Sequence, residues 1–192
     1  MYTARDFSSL KGLTAISDDQ IAEHLKLYNG YVTRTNKAHE TLAAMLNDGK
    51  TGTPEYQEIK RRLGWETNGI LLHEYYFENL TPGGSAAAGT SFEGKAAAQF
   101  GSFDAWKTDF ASTAKMPGIG WVIAYLDNNT GNIVNVWITE HEMGHFAGAK
   151  PLLVLDCFEH AWTAYLKPTQ KLQYLEDFFA NVCFKTASKR LG

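Results

Sequence analysis

Two long stretches of helical periodicity, separated by one short breaker, constrain this chain more than anything else in it. From Ser17 to Asn47 the segment SDDQIAEHLKLYNGYVTRTNKAHETLAAMLN opens on a capping serine and two acidic residues. It then repeats apolar positions at helical spacing, which predicts a helix beginning near Asp18. The loop DGKTGTPE carries the Gly and Pro that stop it, and YQEIKRRLGWETNGILLHEYYFENL predicts a second long helix ending before Pro82. Two such helices on so short a loop must pack as an antiparallel hairpin.

The rest of the chain reads differently. Residues 81 to 102, TPGGSAAAGTSFEGKAAAQFGS, turn abruptly to Gly, Ala and Ser. A boundary is expected there, giving an N-terminal helical-hairpin domain over 1–83 and a C-terminal mixed α/β domain over 84–192. In the second part FDAWKTDFASTAK predicts a helix, and two β-rich runs flank the hairpin signal DNNTGN. PLLVLD is a third strand, and CFEHAWTAYL and LQYLEDFFANVCFKTASKRL are expected as closing helices. The fold class is therefore α+β, with a three-stranded antiparallel sheet flanked by helices behind the hairpin.

Composition sets outer limits on function. The 192 residues carry 18 Lys and Arg against 21 Asp and Glu, a formal charge of −3, with no basic run to follow a phosphate backbone, so no nucleic-acid partner is expected. No apolar run approaches the roughly 20 residues that span a bilayer, and the N-terminus shows no secretory signal, so a soluble cytoplasmic protein is expected with no membrane partner. Cys157 and Cys183, both in apolar surroundings, are expected as buried free thiols. The chain is rich in aromatics, at 13%, and has six histidines.

Placed on these elements, His24 stands on the first helix and His73 on the second. Asp156 ends the strand PLLVLD, and His160 follows four residues later. Three imidazoles and one carboxylate suit Fe, Mn or Zn, whereas Ca²⁺ and Mg²⁺ would want mostly oxygen. Taken singly, each histidine is equally a packed or surface residue.

The text around these residues carries a resemblance. ISDDQIAEH ending at His24, LLHEYYFENL around His73, FGSFDAWKTDF, GIGW ending at Trp121, and LDCFEHAW spanning Asp156 to His160 resemble, in order over nearly the whole chain, the iron/manganese superoxide dismutase family. The resemblance implies that His24, His73, Asp156 and His160 bind one Fe or Mn ion per subunit. It also implies the substrate: one superoxide reduces the metal and leaves as O₂, and a second reoxidises it and takes two protons to become hydrogen peroxide. A fifth position on the metal would hold water or hydroxide, tuned by hydrogen bonds from surrounding residues.

The chain departs from the family pattern at several of these positions. The family supplies a Gln to that solvent either four residues before the second-helix ligand, here Gly69, or from the hairpin region, where His141 aligns. It also carries a gateway His four residues and a gateway Tyr eight residues after the first ligand. Here those positions are Tyr28 and Val32, with Tyr31 at seven. Seven residues fall about 20° short of two full turns, so Tyr31 shares the His24 face and the gateway role falls to Tyr31 or to Tyr28. The resemblance further implies a homodimer with Glu159 near the interface, although the Tyr expected three residues after the last ligand is Thr163 and the Trp before Glu159 is Phe158. Arg34, Lys37, Lys167 and Lys171 are candidates for drawing in an anion. Tyr75, Tyr76, Phe77, Trp121 and Phe158 are expected as an apolar shell around the metal. Two other functions remain compatible with the residues: a binding or assembly component of the same fold without activity, and a metal oxidoreductase using the site for other redox chemistry.

Overall fold

A computed structural model describes all residues, Met1–Gly192. Helix α1 (Asp18–Asn47) starts where Ser17 Oγ accepts the Gln20 amide N–H, and α2 (Pro54–Glu78) starts where Thr53 accepts that of Tyr56, with Pro54 at the first helical position. The two pack along their length as the expected hairpin. Neither they nor any other helix is long and apolar enough to cross a membrane.

Strands β1 (Gly120–Leu126), β2 (Ile133–Thr139) and β3 (Lys150–Asp156) form one antiparallel sheet in the order β2-β1-β3. Hairpin and third strand are as expected, and β1, in the middle, is buried almost throughout. Gly120 opens it at φ 146°, where a Cβ would lie 1.9 Å from the Ile138 carbonyl oxygen. Only glycine lets the strand enter the ladder there and deliver Trp121 opposite Asp156. A continuous apolar cluster runs from Phe7, Ile21 and Phe77 through Val122 and Leu153 to Phe178 and Ala187.

Four expectations need correction. The Gly/Ala/Ser-rich stretch is not all connector: α3 (Ser91–Phe100), capped by Thr90, lies within it and buries Phe92 and Ala96, ahead of α4 (Phe103–Ala114). Alanine is the best helix former, and here it allows close packing rather than marking a loop. The stretch CFEHAWTAYL is not a helix but a single 3-10 turn over Glu159–Ala161 followed by turns. The reason is Gln20, fully buried on α1. Its Nε2 donates to the His160 carbonyl at 2.6 Å and its Oε1 accepts the Ala164 N–H at 2.9 Å, so the side-chain amide is inserted between two backbone groups that an α-helix would pair directly. The last expected helix is two, α5 (Lys171–Asn181) and α6 (Phe184–Leu191). Between them Val182 is extended, and the chain there bonds to residues 79–85, with Thr81 N donating to Asn181 O and Ser85 N to Val182 O. Both cysteines are free thiols, but Cys183 is only partly buried.

Candidate metal centre

His24 projects from the second turn of α1, His73 from α2, Asp156 from the last position of β3 and His160 from the 3-10 turn that Gln20 maintains. One ligating atom from each lies within 4.8 Å of all the others. Asp156 Oδ2 is 3.0 Å from His24 Nε2, 3.1 Å from His160 Nε2 and 3.6 Å from His73 Nε2. Its other oxygen accepts the Phe158 N–H at 2.8 Å, which fixes the carboxylate plane.

His73 shows how the site is prepared. Its Nδ1 lies 2.5 Å from the Gly69 carbonyl, which can only accept, so Nδ1 holds the proton and Nε2 offers a bare lone pair. That Nε2 is buried without a hydrogen-bond partner, an orphan costing about 1–3 kcal/mol unless something occupies the position it faces. Donors sharing one ion at about 2.1 Å stand about 3.0 Å apart at right angles and about 3.6 Å apart at 120°, the range Asp156 keeps to its three neighbours. A single divalent or trivalent ion with three nitrogen ligands and one carboxylate fits these residues.

The protonation states agree with that fit. Burial lowers the His24 pKa against the pull of Asp156, and burial together with the nearby His24 puts His73 well below the ordinary imidazole value of 6.5. Both are neutral, as ligands must be. Burial by itself would raise the Asp156 carboxyl, but His160 and His24 hold it far below the usual carboxylate range. Tyr76 and Phe77 pack on the His24 ring at 5.2 and 5.0 Å, Trp121 on His73 at 5.0 Å and Phe158 on His160 at 5.1 Å. Tyr75 does not join this shell: its ring lies under Arg190, which ties α6 to Asn79 and the Leu152 carbonyl.

Beside the four candidate ligands stands a second polar group. His141 is fully buried, and its Nδ1 accepts the Trp121 indole N–H at 3.0 Å. The proton of the neutral ring is therefore on Nε2, 2.8 Å from the Tyr31 hydroxyl. Burial pushes His141 down to about 4 and Tyr31 up to about 12, so both are neutral at ordinary pH. Of the two tyrosines considered for the gateway, the structure brings Tyr31 to the cluster, 5.3 Å from the His73 ring. Tyr28 instead donates to Glu74 Oε1 at 2.7 Å and accepts the Arg5 N–H. Gly69 explains the placement: a Cβ there would come within 2.5 Å of the Tyr31 ring, which occupies the space a side chain would need.

Outside Tyr31 lies a group the sequence reading missed in part. Glu66, buried on α2, accepts Arg34 Nε at 2.9 Å and Arg62 Nε at 3.0 Å. Arg34 sits over the Tyr31 ring and Arg62 over that of Trp65, which packs against His141 at 4.5 Å. Lys37 and Thr41 line a surface cleft together with Arg34, Arg62 and Glu66. Lys171 is directed elsewhere, to the Met116 carbonyl and the Trp137 ring. Trp65 was accessible in principle, since Trp65, Gly69 and His73 recur every four residues along α2.

Comparison with known proteins adds an independent line. Residues 88–190 match the family model described as "Iron/manganese superoxide dismutases, C-terminal domain". The chain is 31% identical to the superoxide dismutase [Fe] of Aquifex pyrophilus, over 97% of this chain and 89% of that one. It is 34% identical to the superoxide dismutase [Fe] of Saccharolobus solfataricus over 92% and 85% of the two. A superoxide dismutase [Mn] of Haloferax volcanii is 31% identical over 70% and 66%.

Proposed function

Because this chain belongs to the iron/manganese superoxide dismutase family, we propose that it dismutes superoxide with one Fe or Mn ion held by His24, His73, Asp156 and His160. Bound there, such an ion would supply one-electron redox chemistry between a trivalent and a divalent state, the chemistry by which two superoxide anions and two protons give O₂ and hydrogen peroxide. The observation that carries the assignment is the cluster itself: one carboxylate oxygen facing three imidazole nitrogens, with His73 Nε2 buried and unpartnered.

The chain's own residues supply the rest. Asp156 brings the single negative charge that offsets the cation, and the apolar rings of Tyr76, Phe77, Trp121 and Phe158 keep bulk water from it. His141 and Tyr31 form a hydrogen-bonded pair at the edge of the cluster, oriented by Trp121, from which protons pass toward the nascent peroxide. Tyr28 serves this path only by packing, its hydroxyl being engaged with Glu74. Glu159 and Thr163, exposed on either side of His160, belong to the contact face of a homodimer. Two free cysteines suit a reducing compartment such as the cytoplasm.

Metal removal tests the assignment. His24 and His73 have lowered pKa values, so the unfolded or opened chain binds protons more readily than the native site does. The contribution of these two ligands is complete above about pH 6.5 and is lost as the pH falls below it. Dialysis against chelator under mildly acidic conditions is expected to remove metal and activity together, and Fe or Mn to restore both. Activity that survives complete removal would exclude the assignment.

Arg34 and Arg62 answer how a chain of charge −3 draws in an anion. Glu66 uses one Nε from each, leaving both guanidinium groups half-exposed over the Tyr31 and Trp65 rings. The double substitution R34A/R62A is expected to lower kcat/KM several-fold at low salt, to flatten its dependence on ionic strength and to leave kcat nearly unchanged. Stopped-flow decay of superoxide over a salt series reads all three.

A further inference from the structure

His145 stands on the loop between β2 and β3, yet both of its ring nitrogens are engaged. Nε2 lies 2.9 Å from the His141 carbonyl oxygen and Nδ1 lies 2.6 Å from the Tyr125 hydroxyl. A carbonyl can only accept, so Nε2 carries the proton and the bare Nδ1 accepts the Tyr125 O–H. Tyr125 is buried on β1, the central strand, paired with Val134 on one side and Pro151 on the other. A chain of hydrogen bonds thus leads from the central strand of the sheet to the backbone of His141. The same carbonyl also accepts Asn68 Nδ2–H, from α2, at 2.7 Å.

The loop needs such a hold. Glu140, immediately before His141, has φ 57°, a left-handed conformation that costs a residue with a Cβ of order 1 kcal/mol or more. Gly144 turns back at φ 108°, and the backbone pairing that closes the turn is limited to Thr139 with Met143.

We propose that His145 is a positioning residue that, together with Asn68, fixes the backbone of His141 and so holds its imidazole between Trp121 and Tyr31. It touches no reacting atom and acts through the His141 carbonyl; its effect on turnover rests on the role given to His141 above, its effect on geometry does not.

The test is made on the metal-loaded protein. In a crystal structure of H145A, His141 Nε2 is expected to move out of hydrogen-bond distance of the Tyr31 hydroxyl, the midpoint potential to shift, and kcat to fall about tenfold at unchanged metal content. H145Q, whose carboxamide N–H can reach the same carbonyl, is expected to restore the geometry and most of the rate. Should H145A not fold, Y125F removes the donor that fixes the His145 tautomer and is expected to give the same displacement in smaller measure. A His141 ring that stays in place with an unchanged potential, in H145A or in Y125F if H145A does not fold, would overturn the proposal. A displaced ring with undiminished turnover would uphold the positioning and instead remove His141 from the proton path.

Discussion

Replacing Asp156 with alanine is expected to abolish metal binding and to lower dismutase activity by at least about 100-fold. Removing a residue that merely orients a ligand already costs 10–100-fold in metal affinity or activity, and Asp156 is itself the proposed ligand and the only anionic one. Three imidazoles would face the cation without charge compensation, and His24 Nε2 and His160 Nε2 would lose the oxygen 3.0 and 3.1 Å away. D156N separates the two effects: it keeps one oxygen and the shape of the site but not the charge, so it should retain the fold and still bind metal weakly. Metal content by elemental analysis and activity per chain, measured on the same samples, check both variants. Full metal occupancy in D156A would contradict the ligand set.

The second large effect is expected at His141. H141A should keep its metal, because none of the four ligating atoms is touched, and lose 10–100-fold in kcat, in the range seen when groups around a metal site are removed. It also leaves the buried Trp121 N–H without its acceptor, which costs about 1–3 kcal/mol of stability. H141Q offers a sharper comparison: its carbonyl can accept from Trp121 while its amide N–H donates to Tyr31, so both bonds of the imidazole are reproduced. Activity near that of the parent in H141Q, with the loss in H141A, would show that the two hydrogen bonds matter rather than imidazole as such. A full rate in H141A would make the residue a bystander.

Much of this was legible in the residues and their spacing. Both long helices, the Ser17 cap and the three strands follow from periodicity, breaker residues and the hairpin turn, which are local signals; the Thr53 cap of α2 lay within the expected loop. The resemblance singled out His24, His73, Asp156 and His160, which the fold brings within reach of one ion. What was not legible depends on contacts distant in sequence. The stretch after Asp156 has helical composition, and only the Gln20 side chain, 140 residues away from His160, denies it the helix. Tyr31 and Tyr28 are both plausible on a helical wheel, and the decision lies in a glycine on the opposite helix that leaves room for one ring. Glu66 looks like an ordinary solvated charge until α1 packs Arg34 against it. His145 reads as a surface histidine, and its two partners, Tyr125 and the His141 carbonyl, become neighbours only when the loop folds back over the sheet.

We propose above that four side chains from four separate segments hold one redox-active ion. Anomalous diffraction at the iron and manganese edges, from crystals of protein purified with its own metal, tests it most directly. One peak per chain is expected, at Fe or Mn, within about 2.1 Å of His24 Nε2, His73 Nε2, His160 Nε2 and Asp156 Oδ2. A peak bound elsewhere, or an active protein with no iron or manganese at these four atoms, would contradict it.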